Sequence, residues 1–214
     1  MAHSFEAILF DFDGVLVDSE PVHYSCWYDL LLTAGVNLTW EAYHKRFSGI
    51  SHLGLIQQFA ELRDPPVPMD RMWEIYGQKQ QLYRQKSEDG HLLLHSTRDM
   101  LRSLAGFRLG VVTSSARSDV ETQLRNAGVR YYFEVVVCRD DVKALKPAPD
   151  CYLRAAELLE IRHALVLEDS APGMAAARAA GFEVVPVVNS TDVPALLAVR
   201  LNRRPALGDR LSAQ

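Results

Sequence analysis

With 214 residues, 48% of them apolar and 23% charged, the chain has the composition of a folded globular protein, which excludes a disordered or fibrous class. A formal charge of −4 without a basic stripe argues against a nucleic-acid partner, and the apolar runs are too short and interrupted for a membrane span. Three widely spaced cysteines (Cys26, Cys138, Cys151) match neither a metal site nor a nucleophile motif; with an N-terminus lacking a basic and apolar leader pattern, they predict a soluble cytoplasmic protein with reduced thiols.

The first apolar run, AILF (Ala7 to Phe10), predicts a strand that leads straight into Asp11 and Asp13. Two carboxylates one residue apart at the end of a buried strand require a cation or a shared proton. Between 18 and about 94 no strand pattern follows. Helical periodicities recur instead in PVHYSCWYDLLLTAG, WEAYHKRFSG, LGLIQQFAEL and MDRMWEIYGQKQQLYRQKS, with a proline-rich break at RDPPVPMD. This stretch is too long for one crossover helix and reads as a separate all-helical insertion. The expected division is a core of residues 1–17 and 95–214 with an inserted helical domain of 18–94. The aromatics Trp27, Tyr28, Trp40, Trp73 and Tyr76 read as packing of that domain, and Asp18 as the hinge that lets it open.

Beyond the insertion, apolar runs alternate with helical patterns. RLGVVTSS (Arg108 to Ser115), FEVVVC (Phe133 to Cys138), ALVLED (Ala164 to Asp169) and EVVPVV (Glu183 to Val188) predict strands apolar enough to be covered on both faces. A helix over Ser118 to Gly128 is expected to take Ser118 as its cap, with Glu121 three residues on. Further helices are expected over Pro149 to Leu159, over PGMAAARAAG up to Gly181, and over VPALLAVRL. The alternation predicts an α/β fold: a Rossmann-like, doubly wound parallel sheet with the helical domain inserted.

In such sheets ligands bind outside the carboxyl ends of the strands. Asp11 and Asp13, Thr113 and Ser114, and Glu168 and Asp169 all fall at those ends, and Lys146 follows the third strand in LKPAPD. Four converging carboxylates demand a cation, and an oxygen-rich cage suits Mg²⁺. The chemistry that fits is phosphoryl transfer. A carboxylate attacks phosphorus, Asp13 acts as general acid and base, and Lys146 and Thr113 neutralise the phosphoryl oxygens. Phosphate monoesters need a barrier reduction on the order of 20 kcal/mol, which concentrated charge can supply.

The four stretches DFDGVLVDSE, VVTSS, LKPAPDCY and VLEDSAPGMAAARAAG, in that order, resemble the motifs of the haloacid dehalogenase-like hydrolase superfamily. The likeness covers essentially the whole chain. It implies Asp11 as nucleophile, Asp13 as acid/base, Thr113 and Lys146 as phosphoryl-binding groups, and Asp169 as a magnesium ligand. Glu168 is implied as a further ligand or its support, and the main-chain carbonyl of Asp13 as another ligand. The helical segment resembles the cap of the phosphoglycolate phosphatase and β-phosphoglucomutase branch. DSEPVHYSCW is similar to the first cap helix of the mutases, which implies a gating role for His23.

Two departures matter. His52 stands where those mutases carry an arginine that grips a second phosphate, and SSARSD lacks their Ser-Lys-Asn run, with Arg117 as a partial substitute. The resemblance with these departures implies a Mg²⁺-dependent phosphatase acting on a small phosphorylated metabolite, a sugar phosphate or phosphorylated organic acid. Ser114, His23, His52 and Arg117 are the expected substrate-binding residues. A β-phosphoglucomutase is the alternative reading. A dehalogenase is disfavoured by Asp13, and a non-catalytic binding protein by the full catalytic set. Few cationic residues in the cap suggest a neutral or lightly charged leaving group.

Overall fold

Five parallel strands form one sheet in the computed structural model, which describes residues 5–47, 50, 52–88 and 90–202. They are β1 (Ala7–Phe10), β2 (Arg108–Val112), β3 (Val135–Val137), β4 (Ala164–Glu168) and β5 (Glu183–Pro186), in the spatial order β3-β2-β1-β4-β5. The predicted Rossmann-like architecture is therefore observed. Alternation along β1 divides the core. Ile8 and Phe10 join Val111, Leu124, Leu165 and Leu167 on one face, while Ala7 and Leu9 join Val112, Tyr152, Leu159 and Val166 on the other. Each such large side chain, fully buried, contributes about 1.5–3 kcal/mol.

The two edge strands are shorter than predicted. β3 omits Phe133, Glu134 and Cys138, and β5 ends at Pro186, although the Val187 N–H beyond it still donates to the Glu168 carbonyl at 2.8 Å. β5 is also only partly covered, because it is an edge strand with no further strand beyond it.

Helix α6 comes after β2, α7 after β3, α8 after β4 and α9 after β5, over Arg117–Asn126, Asp150–Leu159, Ala171–Ala179 and Val193–Asn202. α6 corrects an expectation. It begins at Arg117, and Ser118 is not its cap; Asp140 Oδ2 instead accepts the Arg117 N–H at 2.7 Å. Glu121 pairs with Arg117, Arg125 and Arg130 rather than closing a capping box. α5 (His95–Ser103) precedes β2 and was not expected, since HSTRDMLRS turns only Thr97, Met100 and Leu101 inward.

The segment between β1 and α5 is helical throughout its regular structure: α1 (Glu20–Thr33), α2 (Trp40–Phe47), α3 (His52–Ala60) and α4 (Met69–Ser87). It carries its own hydrophobic cluster, with Trp27, Leu31, Phe47, Ile56, Phe59 and Met72 fully or nearly buried. Trp27 meets Phe59 edge-on at 5.0 Å. This separate cluster supports reading the segment as a cap. Trp40 and Trp73 are 40% and 47% exposed and still pack edge-on against neighbouring rings, Trp40 on Tyr24 at 5.2 Å and Trp73 on Tyr76 at 5.9 Å. The two chain crossings lie side by side: Val17 bridges antiparallel to Leu93, and Asp18 N–H donates to the Leu92 carbonyl. No described helix is long and apolar enough to cross a membrane.

Candidate active site

Phe10 lies level with Val111 on one side and Leu167 on the other. The next residues along the three strands, Asp11, Val112 and Glu168, therefore share one level at the carboxyl edge. This is also where the strand order reverses, since β2 and β3 lie to one side of β1 and β4 and β5 to the other.

Lys146 crosses into this level from the loop before α7. Its Nζ donates to Asp11 Oδ1 at 2.7 Å, to the Val112 carbonyl at 3.1 Å and to Glu168 Oε1 at 2.5 Å. All three side chains are nearly or fully buried. Burial alone would push the Lys146 ammonium down; Asp11, Tyr152 and Glu168 outweigh it and hold Lys146 well above its ordinary value. Burial pushes Asp11 up, and Lys146 pulls it back toward the ionised form.

Glu168 is saturated. Its Oε1 accepts from Lys146 and from the Tyr152 hydroxyl at 3.2 Å, and its Oε2 accepts both the N–H and the hydroxyl of Ser170, at 2.9 and 3.0 Å. Ser170 in turn caps α8, its Oγ accepting the Gly173 N–H. A Cβ at Gly173 would meet Glu168 Oε1 at 1.7 Å, so the helix approaches this closely only because position 173 is glycine. With four donors on two oxygens, Glu168 supports the site and positions Lys146; this favours support over direct ligation between the two readings left open.

Carboxylate oxygens of Asp11, Glu168 and Asp169 lie within 4.8 Å of one another. The Asp13 carboxylate is not in this group. Burial, then Glu168, push Asp169 up to about 7, with Lys146 only partly offsetting them. Gly14 (φ +74°) passes over Asp169, where a Cβ would meet its Oδ2 at 2.1 Å. A hard divalent cation bound through oxygen fits this donor set.

Asp13 is held apart from that cluster. Its Oδ2 accepts from the Ser115 hydroxyl at 2.6 Å, while the Ser115 N–H donates to Thr113 Oγ1 at 3.0 Å. Ser115 was not among the expected residues. Thr113 is buried, as a group facing the interior of the site requires.

Across the cleft from Asp13, α1 contributes His23 and α4 contributes Lys79. Lys79 Nζ lies 2.7 Å from His23 Nδ1, and the His23 ring stacks on Tyr83 at 4.1 Å. Lys79 is only 4% exposed, and burial lowers its ammonium to about 8. Sequence reasoning missed it, although the signal is legible: Lys79 sits on the apolar stripe of α4 with Met72, Ile75 and Tyr83. A cleft lined by Asp13, His23, Lys79, Ser114, Ser115 and Arg139 opens between cap and core.

Arg117 does not line that cleft. Its guanidinium donates to Asp141 at 2.5 Å and to the Val136 carbonyl at 2.8 Å and pairs with Glu121, which ties α6 to the loop after β3. That geometry supports a scaffolding role. His52 opens α3, and its side chain lies outside the described residues.

A family model described as haloacid dehalogenase-like hydrolase matches residues 8–187. The fructose-1-phosphate phosphatase YqaB of Escherichia coli K12 is 31% identical over 196 residues, spanning 87% of this chain and 98% of that protein. A beta-phosphoglucomutase of Mycobacterium bovis is 30% identical over 228 residues, spanning 94% and 87%. Among solved structures, a CbbY variant from Rhodobacter sphaeroides in complex with xylulose-(1,5)bisphosphate is similar with a TM-score of 0.67 at 29% identity, covering 85% of this chain and 86% of that one.

Proposed function

The chain belongs to the haloacid dehalogenase-like hydrolases, and from that premise we propose that it is a Mg²⁺-dependent phosphatase that hydrolyses a phosphorylated sugar through an aspartyl-phosphate on Asp11. The observation that carries the reading is the buried Asp11–Lys146–Glu168 chain beside Asp169, with Asp13 held separately by Ser115.

Lys146 occupies one oxygen of Asp11 and pulls the carboxylate toward its ionised form against the effect of burial, and the other oxygen of Asp11 is then the one to attack phosphorus. As the ester P–O bond breaks, Asp13 gives its proton to the departing oxygen; it then takes a proton from the water that cleaves the aspartyl-phosphate. Thr113 Oγ1 accepts from Ser115, which leaves its own proton free to donate to a phosphoryl oxygen. Lys146 balances charge at the same place. Asp11 and Asp169, backed by Glu168, would hold the Mg²⁺, which when bound offsets the charge of the carboxylates and the phosphoryl oxygens.

Arg117, the residue expected to substitute in part for the mutases' grip on a second phosphate, is committed to Asp141 and Glu121, which removes that one support for the mutase alternative. The test is phosphate release from a panel of phosphorylated metabolites with Mg²⁺ and with EDTA, run beside β-glucose 1-phosphate isomerisation primed with the bisphosphate. Metal-dependent release from sugar phosphates is the expected result. Isomerisation with little net release would overturn the phosphatase in favour of the mutase.

A further inference from the structure

Few obvious cations in the cap sequence suggest a neutral or lightly charged leaving group, yet three long cations line the cleft: Lys79 and Arg84 from α4 and Arg139 from the loop after β3. Lys79 is buried against His23. Arg84 donates to Asp119 at 2.9 Å, an ion pair that reaches from the cap to α6. Arg139 differs. Among the described residues its ion-pair partner is Asp140 at 3.9 Å, the outer limit of such a contact, and Asp140 already accepts the Arg117 N–H.

The Arg139 backbone is fixed. Its N–H donates to the Ser115 carbonyl at 3.2 Å, and Asp141 Oδ2 accepts the preceding Cys138 N–H at 2.7 Å. Arg139 is thus anchored beside Ser115, the residue that holds Asp13; it lines the same cleft, and 39% of its side chain is open. A guanidinium presents a planar fork suited to a carboxylate or phosphate, and a weakly paired one at the mouth of a site has that capacity available.

We propose that Arg139 is a specificity-determining residue that binds a second anionic group, carboxylate or phosphate, at the end of the substrate distant from the scissile phosphate. The proposal rests on the phosphatase reading above and adds to it the charge class of the leaving group.

The test compares wild type with Arg139→Ala and Arg139→Lys on four compounds in Mg²⁺. These are p-nitrophenyl phosphate, fructose 1-phosphate, fructose 1,6-bisphosphate and 6-phosphogluconate. The expected result is a KM for an acid-bearing compound that rises about 10- to 100-fold in Arg139→Ala, consistent with loss of a charge-assisted contact, with kcat changed far less and partial recovery in Arg139→Lys. KM for p-nitrophenyl phosphate and fructose 1-phosphate stays level. The bisphosphate and the sugar acid, compared directly, tell phosphate from carboxylate. Equal KM values for all four compounds in wild type and variant overturn the role of Arg139 while leaving the phosphatase standing. No release from any compound, p-nitrophenyl phosphate included, overturns the phosphatase itself and this proposal with it.

Discussion

The Ser115 hydroxyl donates to Asp13 Oδ2 at 2.6 Å, joining the loop after β1 to the loop after β2 across 102 positions of sequence. The bond fixes which way the proposed acid/base points. Ser115→Ala is therefore expected to lower kcat by about 10- to 100-fold, the range for one hydrogen bond to a charged group, with KM and Mg²⁺ affinity little changed. Steady-state kinetics on the best substrate check it. A kcat within a factor of about two of wild type would mean that Asp13 is oriented by something else.

Glu168 is predicted to matter for folding as much as for turnover. Glu168→Ala removes one carboxylate from a buried Lys146 and leaves Asp11 as its only described acidic partner. Breaking a buried pair from one side costs about 3–5 kcal/mol. Urea unfolding measures this, and Glu168→Gln, which keeps the shape and two acceptor directions, should recover part of it.

These two residues also mark how far the sequence could be read. β1 and β4 were legible because each is a continuous apolar run ending on acids, and the four motif residues Asp11, Lys146, Glu168 and Asp169 do come together. Ser115 was not legible, because two adjacent serines at a strand end differ only in the direction each faces, and tertiary structure sets that. Arg117 was misjudged for a similar reason: Asp141, its partner, lies 24 positions away on another loop. α5 escaped because its inward face is small and partly polar. Lys79 was legible in principle, since a lysine on an apolar stripe is either an error of packing or a functional group.

Gly14 and Gly77 make a matched pair. Gly14→Ala places a methyl 2.1 Å from Asp169 Oδ2 at a positive φ, so both the turn and the acidic cluster must shift. A stability loss of about 1–3 kcal/mol with weakened Mg²⁺ binding is expected. Gly77 lies inside α4 with open space where its Cβ would be, and Gly77→Ala should stabilise by up to about 1 kcal/mol. Thermal unfolding and Mg²⁺ titration of both variants separate close approach from helix propensity. Equal effects from the two would remove the argument for a cradle at Gly14.

Asp169 links metal, pH and stability. Its folded carboxyl is raised from 3.8 to about 7, so across that window the folded chain holds a proton that the unfolded chain has released. The metal-free protein should lose stability as pH rises from about 4 to about 7 on this account. Mg²⁺ relieves the repulsion, so its gain in Tm should be larger at pH 8 than at pH 5. Asp169→Asn should flatten the metal-free profile and abolish most of the gain. Scanning calorimetry at the two pH values decides it, and an equal Mg²⁺ effect at both would sink the idea.

Lys79 gives the opposite slope in a separate window. Burial lowers its ammonium from 10.5 to about 8, so the charged form is disfavoured in the folded protein. Below about pH 8 both states carry the charge, and the full cost of burying it is present. Between about 8 and 10.5 the unfolded chain still holds the proton that the folded chain has released, so stability rises with pH through that window. The gain across the whole window is at most about 3 kcal/mol. Lys79→Met removes the charge and keeps the apolar stem between Trp27 and Tyr83, the rings beneath the ammonium. The variant should therefore be more stable than wild type at pH 7, the two converging by about pH 10. Its turnover should fall, because His23 loses the partner 2.7 Å from its Nδ1 across the cleft from Asp13. Urea unfolding at pH 7, 9 and 10, with kcat at pH 7, tests both halves. A variant less stable than wild type at pH 7 would show that the hydrogen bond to His23 outweighs the cost of burying the ammonium.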